Sequence, residues 1–222
     1  MTKEDIHITR LSAWALGIEG NSQWIEWAQG RREMGSGPGA PEIAFTDSMF
    51  RRRLSQISRM TIQVVHDLMP LKEDTKMIFL SFRGELSKQY SINKMQIKDG
   101  SLMPAAFSLS VFNAPAALAS MALGLKGGYT AIYPGGNSLT AGLNAAQAPL
   151  LAGTAEEMTF VYADEEIPPE YSGLLPERCP PFAFALLLGR KPGLVPLPAE
   201  TGDSPLDFIK SLFLSGKINV SP

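Results

Sequence analysis

The sequence is poor in the residues from which catalytic and metal centres are usually assembled. One cysteine, Cys179, and two histidines, His7 and His66, occur in 222 residues. A single thiol excludes an internal disulfide and any cysteine cluster for zinc or iron–sulfur ligation, and it fits a reducing compartment. An excess of basic charge is also missing, since 20 Lys and Arg face 22 Asp and Glu for a formal net charge of -2. Nucleic acid is therefore not an expected partner, because its recognition usually needs a basic face or stripe. Apolar runs such as Phe182 to Leu188 fall far short of the roughly 18 to 20 residues of a membrane helix, so no bilayer insertion is expected. Lys3, Glu4 and Asp5 stand where a signal peptide would begin its apolar segment, and a cytoplasmic protein is expected.

What is present is an ordinary globular composition, 45% hydrophobic and 19% charged. That is enough to bury one core, and a single domain over 1–222 is the expectation. His7 to Ile18 reads as an opening strand. Asn21 to Gly30 has Trp24, Ile25, Trp27 and Ala28 at helical spacing, and a glycine- and proline-rich flexible crossing follows from Arg31 to Pro41. From Asp47 a single helix is predicted, capped by Asp47 or Ser48, with a stripe from Met49 through Leu54, Ile57, Met60, Ile62, Val64, Val65 and Leu68 and an end at Pro70. Met77 to Leu80 is short and wholly apolar, as in a strand covered on both faces. Gly84 turns the chain into a helix around Glu85 to Met95, and Asn113 to Leu123 predicts a small-residue helix ended by glycines. A strand over Tyr129 to Tyr133, the turn Pro134 to Asn137 and a helix from Ser138 to about Leu151 follow. Met158 to Ala163 and Phe182 to Leu188 are further strands, and Ser204 caps a last helix over Pro205 to Leu214. Strands alternating with helices imply an α/β sheet flanked on both faces.

Candidate chemistry is sparse. Gly135 and Gly136 follow a strand and precede a helix, where a phosphate could be cradled, but no GxxxxGK[ST] spacing exists and a plain turn is the simpler reading. Ser138 sits where α/β enzymes place a nucleophile, yet only His7 and His66 could serve as its base, and an N-cap role suits it better. Asp164, Glu165, Glu166 and Glu170 lack the oxygen-ligand spacing of a calcium loop and read as a solvated acidic loop; no metal or cofactor is expected. Arg51, Arg52, Arg53 and Arg59 form a basic patch that either docks an acidic partner such as a carrier protein or simply faces solvent.

Residues 107–130, with Asn113, Gly124, Leu125, Lys126, Gly127 and Thr130 as the closest matches, resemble the helix and strand that precede the nucleophile in β-ketoacyl synthases. Wider similarity includes the segment around Trp14, the run from Arg51 to Met60, that from Ser81 to Glu85, and that from Pro181 to Leu188. Together these resemble the small β-ketoacyl-synthase-like family that contains the chain length factors of bacterial aryl polyene clusters. The likeness runs over about the whole chain. One departure is Phe112, in Ser110-Val111-Phe112-Asn113, where that family usually has histidine.

The resemblance implies a thiolase-like half fold, layered α/β with a mixed central sheet. It places the nucleophile position at Gly135, so that no catalytic residue remains. The catalytic histidines of such synthases belong to a second half that this sequence does not contain. It further implies a heterodimer with a full-length β-ketoacyl synthase, reached by acyl carrier protein through the complex. Tyr129, Thr130, Ala131, Ile132 and Tyr133 would form the interface strand. Arg83, Leu86, Gln89 and Tyr90 on one helix, with Ala106, Phe107 and Phe112 from the next loop, would line the partner's acyl tunnel and limit product length. A serine acyl hydrolase or acyltransferase using Ser138, and a pure scaffold subunit, are the alternatives.

Overall fold

A computed structural model describes residues 6–100, 104–174, 180–198 and 204–216; Cys179 and the N-terminal Lys3, Glu4 and Asp5 lie outside them. The central feature is a six-stranded mixed sheet built from β1 (His7–Ala15), β2 (Lys76–Leu80), β3 (Tyr129–Ile132), β4 (Glu157–Asp164), β5 (Phe182–Gly189) and β6 (Val195–Pro196), in the order β3-β2-β4-β5-β1-β6. β3, β2 and β4 run parallel to one another, while β5 is antiparallel to both β4 and β1. The apolar runs seen in the sequence are these central strands. Every residue of β5 is buried, as are Met158 to Asp164 of β4. A strand covered on both faces needs no polar alternation.

The two faces differ in the size of what they present. Phe160, Tyr162, Phe182, Phe184 and Leu186 point to one side, where they meet α1 (Gly20–Ala28), α7 (Leu139–Leu151) and α8 (Pro205–Leu214). Trp24 of α1 stacks on Phe213 of α8 at 5.1 Å between ring centroids. The other face presents Val161, Ala163, Ala183 and Ala185, small enough for α3 (Gln56–His66) and α6 (Ala114–Leu123) to lie close. Ile57, Met60, Ile62, Val64 and Val65 of α3 are fully buried there, each stabilising the fold by about 1.5–3 kcal/mol in transfer terms.

The long helix predicted from Asp47 is two helices, α2 (Ser48–Arg51) and α3, with a break at Arg52 to Ser55. Each has its own cap: the Asp47 carboxylate accepts from the N–H groups of Met49 and Phe50, and the Ser55 hydroxyl accepts from Ser58 N–H. Met49, placed on the apolar stripe by its spacing, is exposed as a result. Ser204 caps α8 as expected. The crossing at Arg31 to Pro41 is tied down, since the Gln56 side-chain amide donates to the carbonyls of Gly37 and Gly39 and Gly35 N–H donates to Leu16 O. The remaining helices, α4 (Leu86–Asp99) and α5 (Pro104–Ser108), pack against each other beyond the carboxyl end of β2.

Candidate functional site

Because β3, β2 and β4 are parallel, their carboxyl ends deliver three connections to one edge of the sheet, the place where open α/β sheets usually bind ligands. These are Ser81 to Glu85 after β2, Tyr133 to Ser138 after β3, and Asp164 to Glu166 after β4.

The turn after β3 offers backbone and little else. Gly135 is exposed, a Cβ built on it meets nothing within 4 Å, and Gly136 takes a left-handed φ of 73°. Ser138 stands at the N-cap position of α7 with extended backbone, but its side chain makes no capping bond, contrary to the sequence expectation. Neither histidine serves it. His7 is on β1, four strand steps from β3 and so roughly 19 Å away at about 4.8 Å per step. His66 closes α3, with its ring stacked on Phe45 and its Nδ1 3.1 Å from the Asp67 carboxylate. That end of α3 also lies beside β1, since the Arg10 guanidinium donates to Leu68 O. No Ser–His arrangement forms around Ser138.

The acidic segment after β4 is the main correction to the sequence reading. Asp164 and Glu165 are not solvated; each is only 1% exposed. The Asp164 carboxylate accepts from Ser81 Oγ at 2.6 Å, from the N–H groups of Phe82 and Arg83 at 3.0 and 3.2 Å, and from Tyr162 OH at 2.8 Å. It thereby fixes the start of the β2–α4 connection. Burial pushes its pKa up, against the pull of the nearby Arg83 charge and these donors. Glu165 Oε1 accepts from Ser87 N–H at 2.7 Å in the first turn of α4, and burial, with the charge of Glu85 adding to it, raises its pKa to about 7. Glu85 is fully buried and accepts from the hydroxyls of Ser55 and Ser58 at 2.7 and 2.6 Å; burial raises its pKa as well. Glu170 is exposed and accepts from Tyr90 OH, while Glu166 is half-buried and accepts from Gly37 N–H. No group of carboxylates, cysteines or histidines among the described residues is arranged to hold a metal.

The seven residues expected to line a tunnel divide between two surfaces. The Arg83 guanidinium donates to Glu165 O at 3.3 Å, and the Gln89 side-chain amide donates to Ser110 O at 3.0 Å, joining α4 to the loop that carries Phe112. The Phe112 ring lies 6.2 Å from that of Phe79 and 6.1 Å from that of Tyr133. It sits directly over Gly84, where a Cβ would come within 2.6 Å of the ring. Ala106 and Phe107 follow on α5, with Phe107 54% exposed, and Leu86 is half-buried at the start of α4. Tyr90 faces away from this group. It packs edge-on against Tyr171 and lines a separate cleft of about 700 Å³ with Ser55, Ser87 and Glu165.

The expected interface strand β3 pairs with β2 on one side, and among the described residues no strand occupies its other side. Thr130 and Tyr133 are exposed, and the Tyr129 hydroxyl accepts from the Asn113 side-chain amide. Of the basic patch, Arg51 and Arg59 are used internally, donating to Thr46 O and to Arg51 O, while Arg52 and Arg53 face outward. No described helix is long and apolar enough to cross a membrane.

No curated protein matches the sequence. Among solved structures, the chain is similar to one from the complex of the ketosynthase ApeO with its chain length factor ApeC from Xenorhabdus doucetiae, with 23% identity, TM-score 0.76 and coverage of 94% of this chain and 91% of that one. It is also similar to the ishigamide ketosynthase/chain length factor, at 14% identity and TM-score 0.65, covering 83% of this chain and 62% of that one. Ketosynthase twelve of the bacillaene polyketide synthase of Bacillus amyloliquefaciens gives TM-score 0.60 at 14% identity, and the chain spans 42% of its length. These neighbours share the thiolase-like layered fold. The model of the β-ketoacyl synthase N-terminal domain matches residues 24–202, and the chain belongs to that family.

Proposed function

We propose that this chain is a non-catalytic chain length factor in aryl polyene biosynthesis, which pairs with a β-ketoacyl–acyl carrier protein synthase and shapes its acyl tunnel. The observation that supports this best is a combination within one strand: among the described residues nothing pairs with the outer edge of β3, and β3 leads straight into a turn whose middle, at Gly135, has no side chain. An edge strand with unpaired backbone is a liability unless something covers it, and pairing with the equivalent strand of a partner is one way to cover it. Phe112 lies beside Tyr133 and Gln89 is bonded to the loop that carries it, and with Arg83, Leu86, Ala106 and Phe107 they would form the tunnel wall. Bulk at those positions ends elongation sterically, because a close-packed wall yields little and each methylene forced into it costs about 1–3 kcal/mol. Tyr90, which faces the other cleft, has a lesser part in that wall. The acyl carrier protein would reach the chain only through the complex.

Co-expression with the cognate synthase tests the reading. One-to-one co-purification is expected, with Ala106→Trp shortening the polyene products while the complex persists. A complex whose product length ignores Ala106→Trp would leave the protein a scaffold, and no complex at all would overturn the proposal.

A further inference from the structure

Two helix N-termini converge on a pair of buried carboxyls that the proposed function does not use. From α3 come the hydroxyls of Ser55 and Ser58, both donating to Glu85 Oε1, and the N–H of Ile57, which reaches Glu165. From α4 comes Ser87 N–H, which donates to Glu165 Oε1. Helix N-termini favour a negative charge, and one such charge is well housed here. A second is not. Glu85 Oε2 is buried without a hydrogen-bond partner, and no cation among the described residues forms an ion pair with either carboxyl. Lys88 of α4 sends its Nζ to Arg53 O at 2.7 Å; burial disfavours its charge more than Glu85 and Glu165 favour it, and its pull on Glu85 is outweighed by that carboxyl's own burial. The Arg83 guanidinium is on the carbonyl of Glu165, Asp164 is engaged with Ser81, Tyr162 and the amides of residues 82 and 83, and Glu166 is on Gly37 N–H.

We propose that Glu85 and Glu165 act as one electrostatically coupled pair that positions α4, pinning its first turn against α3 while at least one of them is neutral and loosening it when both are charged. The route for loosening is built in. Glu165 lines the cleft of about 700 Å³ formed with Gly37, Gln56 and Ser87, so it can turn outward to water, whereas Glu85 does not line it. Outward rotation of Glu165 abandons Ser87 N–H and frees the turn that carries Leu86, Gln89 and Tyr90. Each group hinders ionisation of the other, so the pair titrates in steps that belong to both. The inference stands on this chain alone and does not depend on the synthase partner.

Carboxyl carbon NMR on the full chain tests it directly, with amide exchange read alongside. At least one of the two carboxyls is expected to titrate near neutrality, and protection of amides 86–91, corrected for intrinsic exchange, is expected to fall roughly tenfold or more between about pH 5.5 and 8. Amides of β4 and β5 are expected to hold their protection over that range. In Glu165→Gln the α4 amides should lose this pH dependence, because Gln still accepts from Ser87 N–H but cannot ionise. Two ordinary carboxyl titrations in the wild-type chain would overturn the proposal whether or not the variant folds. So would α4 protection that is flat with pH, or an unchanged slope in Glu165→Gln.

Discussion

Replacing Asp164 tests whether the carboxyl end of β4 organises the β2–α4 connection. Four donors converge on this side chain: Ser81 Oγ, Phe82 N–H, Arg83 N–H and Tyr162 OH. In Asp164→Ala the two hydroxyls can swing to other acceptors and Arg83 N–H keeps Ser81 Oγ at 3.2 Å, but Phe82 N–H is held by the backbone and loses its acceptor. A buried donor left without an acceptor costs about 1–3 kcal/mol. That one donor, with the lost hydroxyl bonds and set against the relief of no longer burying a carboxyl whose pKa is pushed up by desolvation, leaves a net loss of about 2 kcal/mol. For a chain of this size that is a fall in Tm of roughly 4–8 °C. Asp164→Asn keeps the Oδ1 that serves Ser81, Phe82 and Arg83, and Tyr162 OH can accept from the new amide. It should stay within about 1 kcal/mol of wild type. Thermal and urea unfolding of the three proteins at one pH provide the comparison. An Ala variant as stable as wild type, or an Asn variant as damaged as the Ala variant, would refute the account.

Other consequences are as direct. Glu165 ionises near 7 in the folded chain against an ordinary value of 4.5, so the folded state holds a proton that the unfolded state has released between those values. Its contribution is present at low pH and is lost as pH rises from about 4.5 to about 7, a decline of about 3 kcal/mol at 1.36 kcal/mol per unit. Asp164 and Glu85 shift the same way, and urea midpoints are expected to fall from pH 5 to pH 8. Gly142 lies where α7 crosses the sheet, and a Cβ there would come within 2.5 Å of Leu80 Cδ1 and 2.7 Å of Phe160 Cε2. Gly142→Ala should therefore lose about 1–2 kcal/mol despite its better helix propensity. Gly135→Ala, which meets nothing, should change stability by less than about 0.5 kcal/mol. Calorimetry on the two glycine variants checks both. Gly128 O and Ile132 O accept from the N–H groups of Met77 and Ser81 of the β2 side, so by alternation the Ala131 N–H faces the outer edge of β3; under the proposed function Ala131→Pro removes that donor and is expected to abolish co-purification with a synthase partner.

The sheet was legible because its signal is local. Met77 to Leu80, Met158 to Ala163 and Phe182 to Leu188 are apolar along their whole length, and in a strand that pattern has one explanation, coverage on both faces. The same local reading misjudged α2 and α3, because the spacing of Met49, Leu54 and Ile57 suits one continuous helix. The competing signal was Ser55, a second cap inside the run, and an N-cap serine ends one element as surely as it begins the next. The candidate site was harder to see. A cluster of Asp and Glu beside prolines reads as solvated, and for Glu170 that holds, while Glu166 is half-buried. Asp164 and Glu165 are buried by residues roughly 80 to 110 positions earlier in the chain, and composition carries no trace of that enclosure. The one available hint was serine, since Ser81 and Ser87 supply a donor to Asp164 and Glu165, and Ser55 and Ser58 supply theirs to the neighbouring buried Glu85.

The outer edge of β3, unpaired among the described residues, and the buried carboxyls meet in one design. α4 begins at Glu85, and the connection that feeds it begins at Ser81, beside the last residue of β2, which pairs with Ile132 of β3. Phe112 spans the gap, touching Phe79 of β2 on one side and Tyr133, just past β3, on the other. Anything that pairs with the outer edge of β3 therefore lies within one side chain of the loop that Asp164 and Glu165 hold. Under the proposed function, a wall that limits a growing chain has to stay still, and surface loops rarely do. Here stillness comes from carboxyls buried at a cost and bonded to main-chain amides, which fix backbone geometry where apolar packing alone would allow it to drift. Of the elements around the β3 turn, the loop at Asp164 is accordingly the one whose loosening should disturb product length without breaking the edge-strand contact.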